Sequence, residues 1–355
     1  VNEGDGSVTI TVMRSGAVAQ SGSVTLATAA FDNQPCNRID GIARPRCDVA
    51  TTLVRLRFGP GETSKDITLF ITDDSYVEGT ERIELGLADA SGNLGLDDPL
   101  ATISIIDNDI VTGPNPITTI PFFVRQQYRD FLFREPEPGG FEAWTNLLSQ
   151  CAFNGDFGPG KSGSDPTCDR ITVSSSFYRS PEFLARGYFI YRFYDAALGR
   201  LPTYAEFLTE MNRLAGPRTL GQQETDKRDF VTEFRQQSEF TTRYGAFNTG
   251  AAVDRLLQTA GVTLPNRNQL VSDLEAGRRS PAETLRLIIE SDAVSQRFFN
   301  RGFVTMQYFG YLQRDPDPEG FARWIAVLDQ TGDFRVMVFG FLYSPEYLMR
   351  FGPVQ

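Results

Sequence analysis

The chain has 355 residues, of which 41% are hydrophobic, and this length suffices for two or three domains with apolar cores. Its net charge of −11, without a basic stripe, makes it a poor candidate for binding nucleic acid. Because the chain has no histidine, Ser-His-Asp catalysis, Cys-His catalysis and histidine-bound zinc are excluded, and we expect a protein that is not an enzyme, with a carboxylate pair as the remaining catalytic option.

The first 110 residues have the pattern of an antiparallel β-sandwich. Apolar and polar residues alternate with a period of two, and Gly, Asp and Pro interrupt the runs, which is typical of strands joined by turns. The predicted strands are 8–13, 23–28, 53–58, 67–71, 83–87 and 101–106. This region has 17 acidic and 8 basic residues, so most of the negative charge of the chain lies here.

Carboxylates are concentrated at the ends of these strands. The clusters lie before the first strand (Glu3, Asp5), between the fourth and fifth strands (Asp73, Asp74, Glu78, Glu81) and after the last strand (Asp107, Asp109). Like charges crowded at one end of a sheet destabilise the fold unless a cation neutralises them. The pattern therefore predicts a calcium site at this end of the sandwich.

Four short motifs in this region resemble the Calx-beta domain. In chain order they are Glu3-Gly4-Asp5-Gly6-Ser7-Val8-Thr9, Phe58-x-Pro60-Gly61-x-Thr63, Asp73-Asp74-x-x-x-Glu78-Gly79-x-Glu81 and Ile105-Ile106-Asp107-Asn108-Asp109. The resemblance covers residues 1–110 and implies an immunoglobulin-like sandwich that binds Ca²⁺ through carboxylates at strand ends. The ligands that it implies are Glu3, Asp73, Asp74, Glu78, Glu81, Asp107 and Asp109. In family members that have lost the metal, such acids are only solvated loop residues, and this is the alternative.

The same family normally has an apolar strand before the Glu-Gly motif. Here only Val1 and Asn2 precede Glu3. We expect either that this strand is missing or that a neighbouring chain supplies it by β-augmentation. The second option predicts a homo-oligomer or a polymer.

The four cysteines fall into two local pairs, Cys36 with Cys47 and Cys151 with Cys168. Their even number and short spacings within polar insertions predict two disulfides and an oxidising compartment, with free thiols as the alternative. No apolar run approaches the ~20 residues of a membrane helix, so we expect no membrane span. Together these features predict a secreted protein.

Residues 111–121 are rich in Pro and Thr, which predicts an extended, stiff linker. Its composition also makes Thr112, Thr118 and Thr119 candidate sites of O-glycosylation. The linker separates the predicted sandwich from a region of different periodicity.

Residues 122–355 have the hydrophobic period of helices, and 25 of the 28 phenylalanines lie beyond residue 110. We therefore predict a multi-domain protein, all-β plus all-α, whose second part is an aromatic-rich helical domain. The segment 127–144 recurs at 307–324 with the shared pattern Arg-x-Pro-x-x-x-Gly-Phe-x-x-Trp. The recurrence leaves open a division into two sub-units, about 122–245 and 246–355.

This repeated motif, with Ser-Pro-Glu-Phe downstream, resembles the bacterial domain-of-unknown-function family numbered 4214 over about residues 120–350. The resemblance implies a helical module of large secreted surface proteins and brings no activity with it. We expect its Arg to hydrogen-bond a turn, its Pro and Gly to shape that turn and its Trp to pack beneath.

From these observations we predict a secreted structural protein of the bacterial cell surface. The favoured function is a self-assembling subunit of an extracellular fibre or surface layer, with Ca²⁺ stabilising the sandwich. The alternative is a non-catalytic adhesion or glycan-binding module of a larger secreted protein.

Overall fold

The computed structural model describes residues 1–28, 34–92, 94–157, 161, 163–214 and 219–354. Its N-terminal part consists of antiparallel strands in two sheets, one with the order β1-β4 and one with the order β3-β2-β5-β6. The strands are β1 (Ser7–Met13), β2 (Gly22–Thr28), β3 (Leu53–Phe58), β4 (Ser64–Phe70), β5 (Glu81–Ser91) and β6 (Leu100–Ile105). The sheets confirm the predicted sandwich.

The sandwich core is formed by the alternating apolar residues of the strands, because successive side chains of a strand point to opposite faces. One buried cluster contains Val12, Leu26, Phe58 and Leu85. A second cluster lies nearer the acidic strand ends and contains Val49, Leu69, Ile71, Ile83 and Ile105.

The rest of the described chain is helical, which confirms the prediction of an all-β part followed by an all-α part. The helices are α1 (Ile120–Gln127), α2 (Pro138–Ser149), α3 (Arg170–Tyr178), α4 (Pro181–Ala185), α5 (Gly187–Arg192), α6 (Tyr204–Leu214), α7 (Leu220–Phe234), α8 (Ser238–Tyr244), α9 (Gly250–Ala260), α10 (Arg267–Glu275), α11 (Pro281–Ile289), α12 (Asp292–Gln307), α13 (Pro318–Thr331), α14 (Phe334–Leu342) and α15 (Pro345–Leu348). Within the described ranges no helix combines the length and apolar character that crossing a membrane requires.

The chain forms two compact units. The first contains Val1–Phe177, Gly310–Gln313 and 335–354, and the second contains Tyr178–Phe309 and Arg314–Phe334. This grouping follows packing rather than the change from strands to helices, and the predicted boundaries at residues 110, 121 and about 245 stay predictions.

Both predicted disulfides are present, Cys36 with Cys47 and Cys151 with Cys168. All four cysteines are buried. The first disulfide closes the loop between β2 and β3, and the second closes the loop between α2 and α3.

The segment expected to be an extended linker is folded in the first unit, so that expectation is wrong. Pro116–Thr118 forms a 3₁₀ turn, and the amide of buried Asn115 donates hydrogen bonds to the carbonyls of Leu348 (2.7 Å) and Gly352 (3.0 Å). The side-chain amide of Asn115 has hydrogen-bond partners only because backbone carbonyls from another part of the chain lie next to it. The composition of residues 111–121 does not reveal such partners. The candidate glycosylation sites Thr112, Thr118 and Thr119 are exposed, and their modification stays a prediction.

The repeated helical motif has the same geometry in each copy. A π-helical turn is followed by a residue with positive φ and then by an arginine whose guanidinium lies over a tyrosine ring, at 4.9 Å for Arg134 over Tyr128 and 5.3 Å for Arg314 over Tyr308. The copy of the motif that is degenerate in sequence repeats this contact with Arg200 over the ring of Tyr194, again at 5.3 Å.

The motif has a glycine at this position because the tyrosine hydroxyl leaves no room for a Cβ. A Cβ at Gly140 would lie 2.2 Å from the hydroxyl of Tyr128, and one at Gly320 would lie 2.3 Å from the hydroxyl of Tyr308. The signature residues therefore have an architectural role. The arginine stacks on the tyrosine ring, and the glycine leaves room for the tyrosine hydroxyl.

Candidate metal centre

Four chain segments meet at one end of the sandwich because of the antiparallel register. Ser7 at the start of β1 pairs with Phe70 at the end of β4, and Glu81 at the start of β5 pairs with Ile105 at the end of β6. The loop that precedes β3 reaches the same end, since the amide of Ala50 donates a hydrogen bond to the carbonyl of Phe70 (2.9 Å). Acidic residues that are far apart in the sequence are thereby collected in one place.

We define the acidic cluster as six of the carboxylates at this end: Glu3, Asp48, Asp74, Glu78, Glu81 and Asp109. Within it, oxygens of Glu3, Asp74 and Asp109 lie within 4.8 Å of one another. Oxygens of Asp48, Asp74 and Glu78 form a second group with the same spacing. Asp74 belongs to both groups, so the cluster offers two adjoining cation positions that share one carboxylate.

Backbone amides donate a hydrogen bond to one oxygen of each of three of these carboxylates. Glu3 Oε1 accepts from the amide of Asp74 (2.8 Å), and Asp74 Oδ1 accepts from the amide of Tyr76 (2.7 Å). Asp48 Oδ2 accepts from the amide of Arg44 (2.5 Å). These bonds hold the side chains in place before any ion binds.

Three buried oxygens in the cluster accept no hydrogen bond from any described residue. They are Asp74 Oδ2, Glu81 Oε1 and Asp109 Oδ2. Asp74 is 6% exposed and Glu81 is 4% exposed. A buried carboxylate oxygen without a partner costs free energy, so these atoms need a cation or a proton.

The pKa values of the cluster show the same requirement. Burial raises the pKa of Glu3 to about 8, of Asp74 to about 9 and of Glu78 to about 10, and neighbouring carboxylates add to each increase. Burial likewise raises the pKa of Glu81 to about 9, with Asp48 as the next cause. Without a cation, these groups would have to hold protons at neutral pH.

Arg44 supplies positive charge beside the cluster. Its buried guanidinium lowers the pKa of both Asp48 and Glu81, but burial outweighs this effect in each case. Arg44 is itself committed to Asp40, with Nη2 to Oδ2 at 2.6 Å. The arginine therefore offsets only part of the negative charge.

The residues of the cluster fit calcium. All the donors are oxygens, which suits a hard cation such as Ca²⁺ or Mg²⁺, and a flexible set of carboxylates and carbonyls suits the larger Ca²⁺. Another acidic group, Asp165 with Cys151 and Cys168, offers no thiolate because its sulfurs form a disulfide.

The ligands implied by the sequence divide into two classes. Glu3, Asp74, Glu78 and Asp109 belong to the two groups of converging oxygens, and Glu81 lies next to Asp48. Asp73 and Asp107 do not belong to either group.

Asp73 and Asp107 instead organise the loops. Asp73 is exposed and accepts a hydrogen bond from the amide of the Asn108 side chain (2.9 Å). Asp107 Oδ2 accepts from the backbone amides of Glu78 and Gly79, each at 2.7 Å. Both add negative potential that raises the pKa of Glu3.

Sequence reasoning missed Asp48. It lies outside the acidic motifs at the strand ends and directly follows Cys47 of the Cys36–Cys47 disulfide, in the loop between β2 and β3. Its backbone carbonyl accepts from the amide of Thr72 (2.9 Å), which joins this loop to the end of β4. The signal available in the sequence was an acid directly after a cysteine of an otherwise unexplained insertion.

Comparisons with known proteins give a family match for the N-terminal part of the chain. The family model of the Calx-beta domain matches residues 1–109, which confirms the predicted resemblance there. The predicted resemblance of residues 120–350 to the family numbered 4214 stays a prediction. A search of the curated proteins finds no match.

Solved structures that are similar to the chain include "Crystal structure of Apo-form Calx CBD1 domain", which is 26% identical with a TM-score of 0.27, over 30% of this chain and 88% of that one. Another is "Crystal structure of calcium binding domain CBD12 of CALX1.1", also 26% identical with a TM-score of 0.27, over 31% of this chain and 42% of that one.

The raised pKa values predict how pH changes the stability of the metal-free chain. The raised carboxyls of Glu3 and Glu78 contribute stability that is complete below their unfolded pKa of about 4.5 and is lost as pH rises through their folded pKa values of about 8 and about 10. We expect the Tm of the calcium-free chain to fall by several degrees between pH 6 and pH 9, and saturating calcium to remove most of this fall. Differential scanning calorimetry measures it, and a calcium-free Tm that rises over this interval would contradict the assignment.

The shared position of Asp74 predicts different effects for two substitutions. Asp74→Asn should weaken binding at both cation positions by at least about tenfold, whereas Asp48→Asn should weaken one and leave the other. Asp74→Asn should also reduce the fall in Tm of the calcium-free chain between pH 6 and pH 9, because the asparagine amide has no proton to lose in this interval. Calorimetric titration with calcium gives the number of ions and their affinities.

The matched control for these variants is Glu84→Gln, since Glu84 is exposed on β5 and lies outside the cluster. Its calcium binding should equal that of the unsubstituted chain. Equal affinities for Asp74→Asn and Glu84→Gln would show that Asp74 binds no cation.

Proposed function

We propose that the chain is a calcium-stabilised structural module of a secreted bacterial surface protein and that it has no catalytic activity. The observation that carries this proposal is the buried Asp74 oxygen without a hydrogen bond, which lies between two groups of converging carboxylates. The match of residues 1–109 to the Calx-beta domain, a calcium-binding module, supports the same reading. The two disulfides are compatible with secretion into an oxidising compartment.

In this proposal the chain's own residues prepare the site and calcium supplies the missing positive charge. Backbone amides orient Glu3, Asp48 and Asp74, and Asp107 holds the turn at Gly79. With a cation bound, Glu3, Asp48, Asp74, Glu78 and Asp109 would link the chain segments that carry them. We expect a module of this kind to be most stable where calcium is abundant, as it is outside cells.

We further propose that the module is the repeating subunit of a fibre or surface layer. The structural feature in favour is the small sheet, in which β1 pairs with β4 and with no other named strand of the described residues. Two-stranded sheets are marginal on their own, and an open edge is a template for another strand. The occupant that we propose for the β1 edge is an extended segment of a second copy.

The register identifies a substitution that blocks this edge. Because the amide of Arg14 bonds to Thr63, alternation places the amide of Thr9 on the open side of β1. Thr9→Pro removes that donor, so we expect filaments or oligomers of the unsubstituted chain to be lost. Electron microscopy and sedimentation, each with calcium and after chelation, measure the assembly.

The matched control is Thr102→Pro on β6, where the same alternation also directs the amide to the outer side of its sheet. This variant should assemble normally if β1 is the edge that is used. An unsubstituted chain that stays monomeric at high concentration with calcium would overturn the assembly proposal and leave the calcium proposal intact.

A second candidate function is glycan binding by the second compact unit. A polar cleft of about 770 Å³ there is lined by Asp195, Arg301, Asn300, Asp329 and Phe299, among others. Arg301 binds Asp195 through two nitrogens (2.7 and 3.1 Å), and the amide of Asn300 donates to Asp329 (3.0 Å). Planar polar side chains beside an aromatic ring are the kind of surface that sugar hydroxyls and ring faces contact.

A glycan array tests this candidate. Binding by the chain that is lost in Asn300→Ala, and kept in the surface control Arg323→Ala, would support it. Because Arg323 is exposed and pairs with exposed Glu319 on the same helix, its loss should leave the cleft unchanged. An array without a single bound glycan would exclude glycan binding.

A further inference from the structure

We infer that calcium binding at the acidic cluster orders residues 345–354, which we call the 345–354 segment. The segment belongs to the same compact unit as the cluster and contains α15 and the residues after it. This inference rests on the proposed calcium binding. It predicts that ion binding can be followed at residues that do not themselves hold the ion.

The loop that carries Asp74 and Glu78 also binds the 345–354 segment. Between these two acids, the Ser75 hydroxyl donates to the carbonyl of Phe351 and the Tyr76 hydroxyl donates to the carbonyl of Met349, each at 3.3 Å. The ligand loop therefore faces the cation positions through its carboxylates and the segment through its neighbouring hydroxyls.

Tyr76 connects the two sides directly. Its amide donates to Asp74 Oδ1, its ring packs on the Cys36–Cys47 disulfide, and its hydroxyl reaches Met349. Any movement of Asp74 when the cation is absent would therefore displace all of these contacts together.

The disulfide loop that carries Asp48 makes a second connection. The carbonyl of Arg46 accepts from Nε of Arg350 (3.1 Å), and the guanidinium of Arg46 pairs with Glu346 (3.4 Å). Arg350 is 2% exposed and its Nη1 also bonds Asp130 (3.2 Å). Both loops that supply the second cation position are thus attached to the same short segment.

Gly352 of the 345–354 segment is tightly packed against the loop that carries Asp74 and Glu78. A Cβ at Gly352 would lie 2.2 Å from the hydroxyl oxygen of Ser75 and 3.1 Å from the Cα of Asn115. The ligand loop must therefore keep its position for the segment to stay packed. Because coupling between two equilibria is reciprocal, contacts that calcium strengthens must in turn strengthen calcium binding.

Hydrogen–deuterium exchange of the full chain, with calcium and after chelation, tests the inference without any substitution. The amides of Met349, Arg350 and Phe351 donate to the carbonyls of Pro345, Tyr347 and Leu348 within the segment and report its order. We expect calcium to slow their exchange at least tenfold and to leave α11, in the other unit, unchanged.

The reciprocal test uses Tyr76→Phe, which removes the hydroxyl and keeps the ring on the disulfide. One hydrogen bond contributes enough free energy to change an equilibrium about fivefold, so calcium affinity should fall by up to that factor. The matched control is Tyr244→Phe in the other unit, which also loses a hydroxyl bonded to a backbone carbonyl, that of Ala197. Its calcium affinity should not change.

The outcomes separate the inference from the proposed function. Titration of the unsubstituted chain without any calcium binding would overturn both. Calcium binding that leaves exchange in the 345–354 segment unchanged would overturn the inference alone. Calcium-dependent protection together with weaker binding by Tyr76→Phe, but not by Tyr244→Phe, would support it.

Discussion

The fold of the N-terminal part depends on how buried negative charge at one end of the sandwich is neutralised. The antiparallel register brings Glu3, Asp74 and Asp109 together, and burial raises the pKa of each. Arg44 cannot balance the cluster because it is already paired with Asp40. A divalent cation satisfies both the charge and the unpartnered oxygens, whereas protonation satisfies them only at the cost of pH sensitivity.

The same constraint explains the insertion between β2 and β3. A disulfide in that loop packs against Tyr76 and places Asp48 opposite Asp74, so the crosslink positions a carboxylate that no strand could supply. Arg46 and Tyr76 then extend the contacts to residues 345–354. Covalent, ionic and packing interactions at this end thus form one connected arrangement, and we expect it to respond to calcium as a whole.

Much of this was predictable from sequence where it depends on periodicity or local spacing. Alternation defined the strands, the short spacing between cysteines defined the disulfides, and Gly140 and Gly320 marked the helical repeat. Asp48 was missed because its place in the cluster depends on long-range packing of an irregular loop, and its position after Cys47 is only a weak signal. The burial of Asn115 was missed for a similar reason, since its partners lie more than 230 residues away. Asp73 and Asp74 show the limit of motif reading, because adjacent acids point in different directions and only the structure separates them.

The most direct measurement of the central claim is a crystal structure of the calcium-loaded chain with anomalous diffraction data. The account predicts two anomalous peaks beside Asp74, one among the oxygens of Glu3, Asp74 and Asp109 and the other among those of Asp48, Asp74 and Glu78. Crystals grown in saturating calcium that show no anomalous peak at the acidic cluster, with these carboxyls hydrogen-bonded to one another, would contradict it.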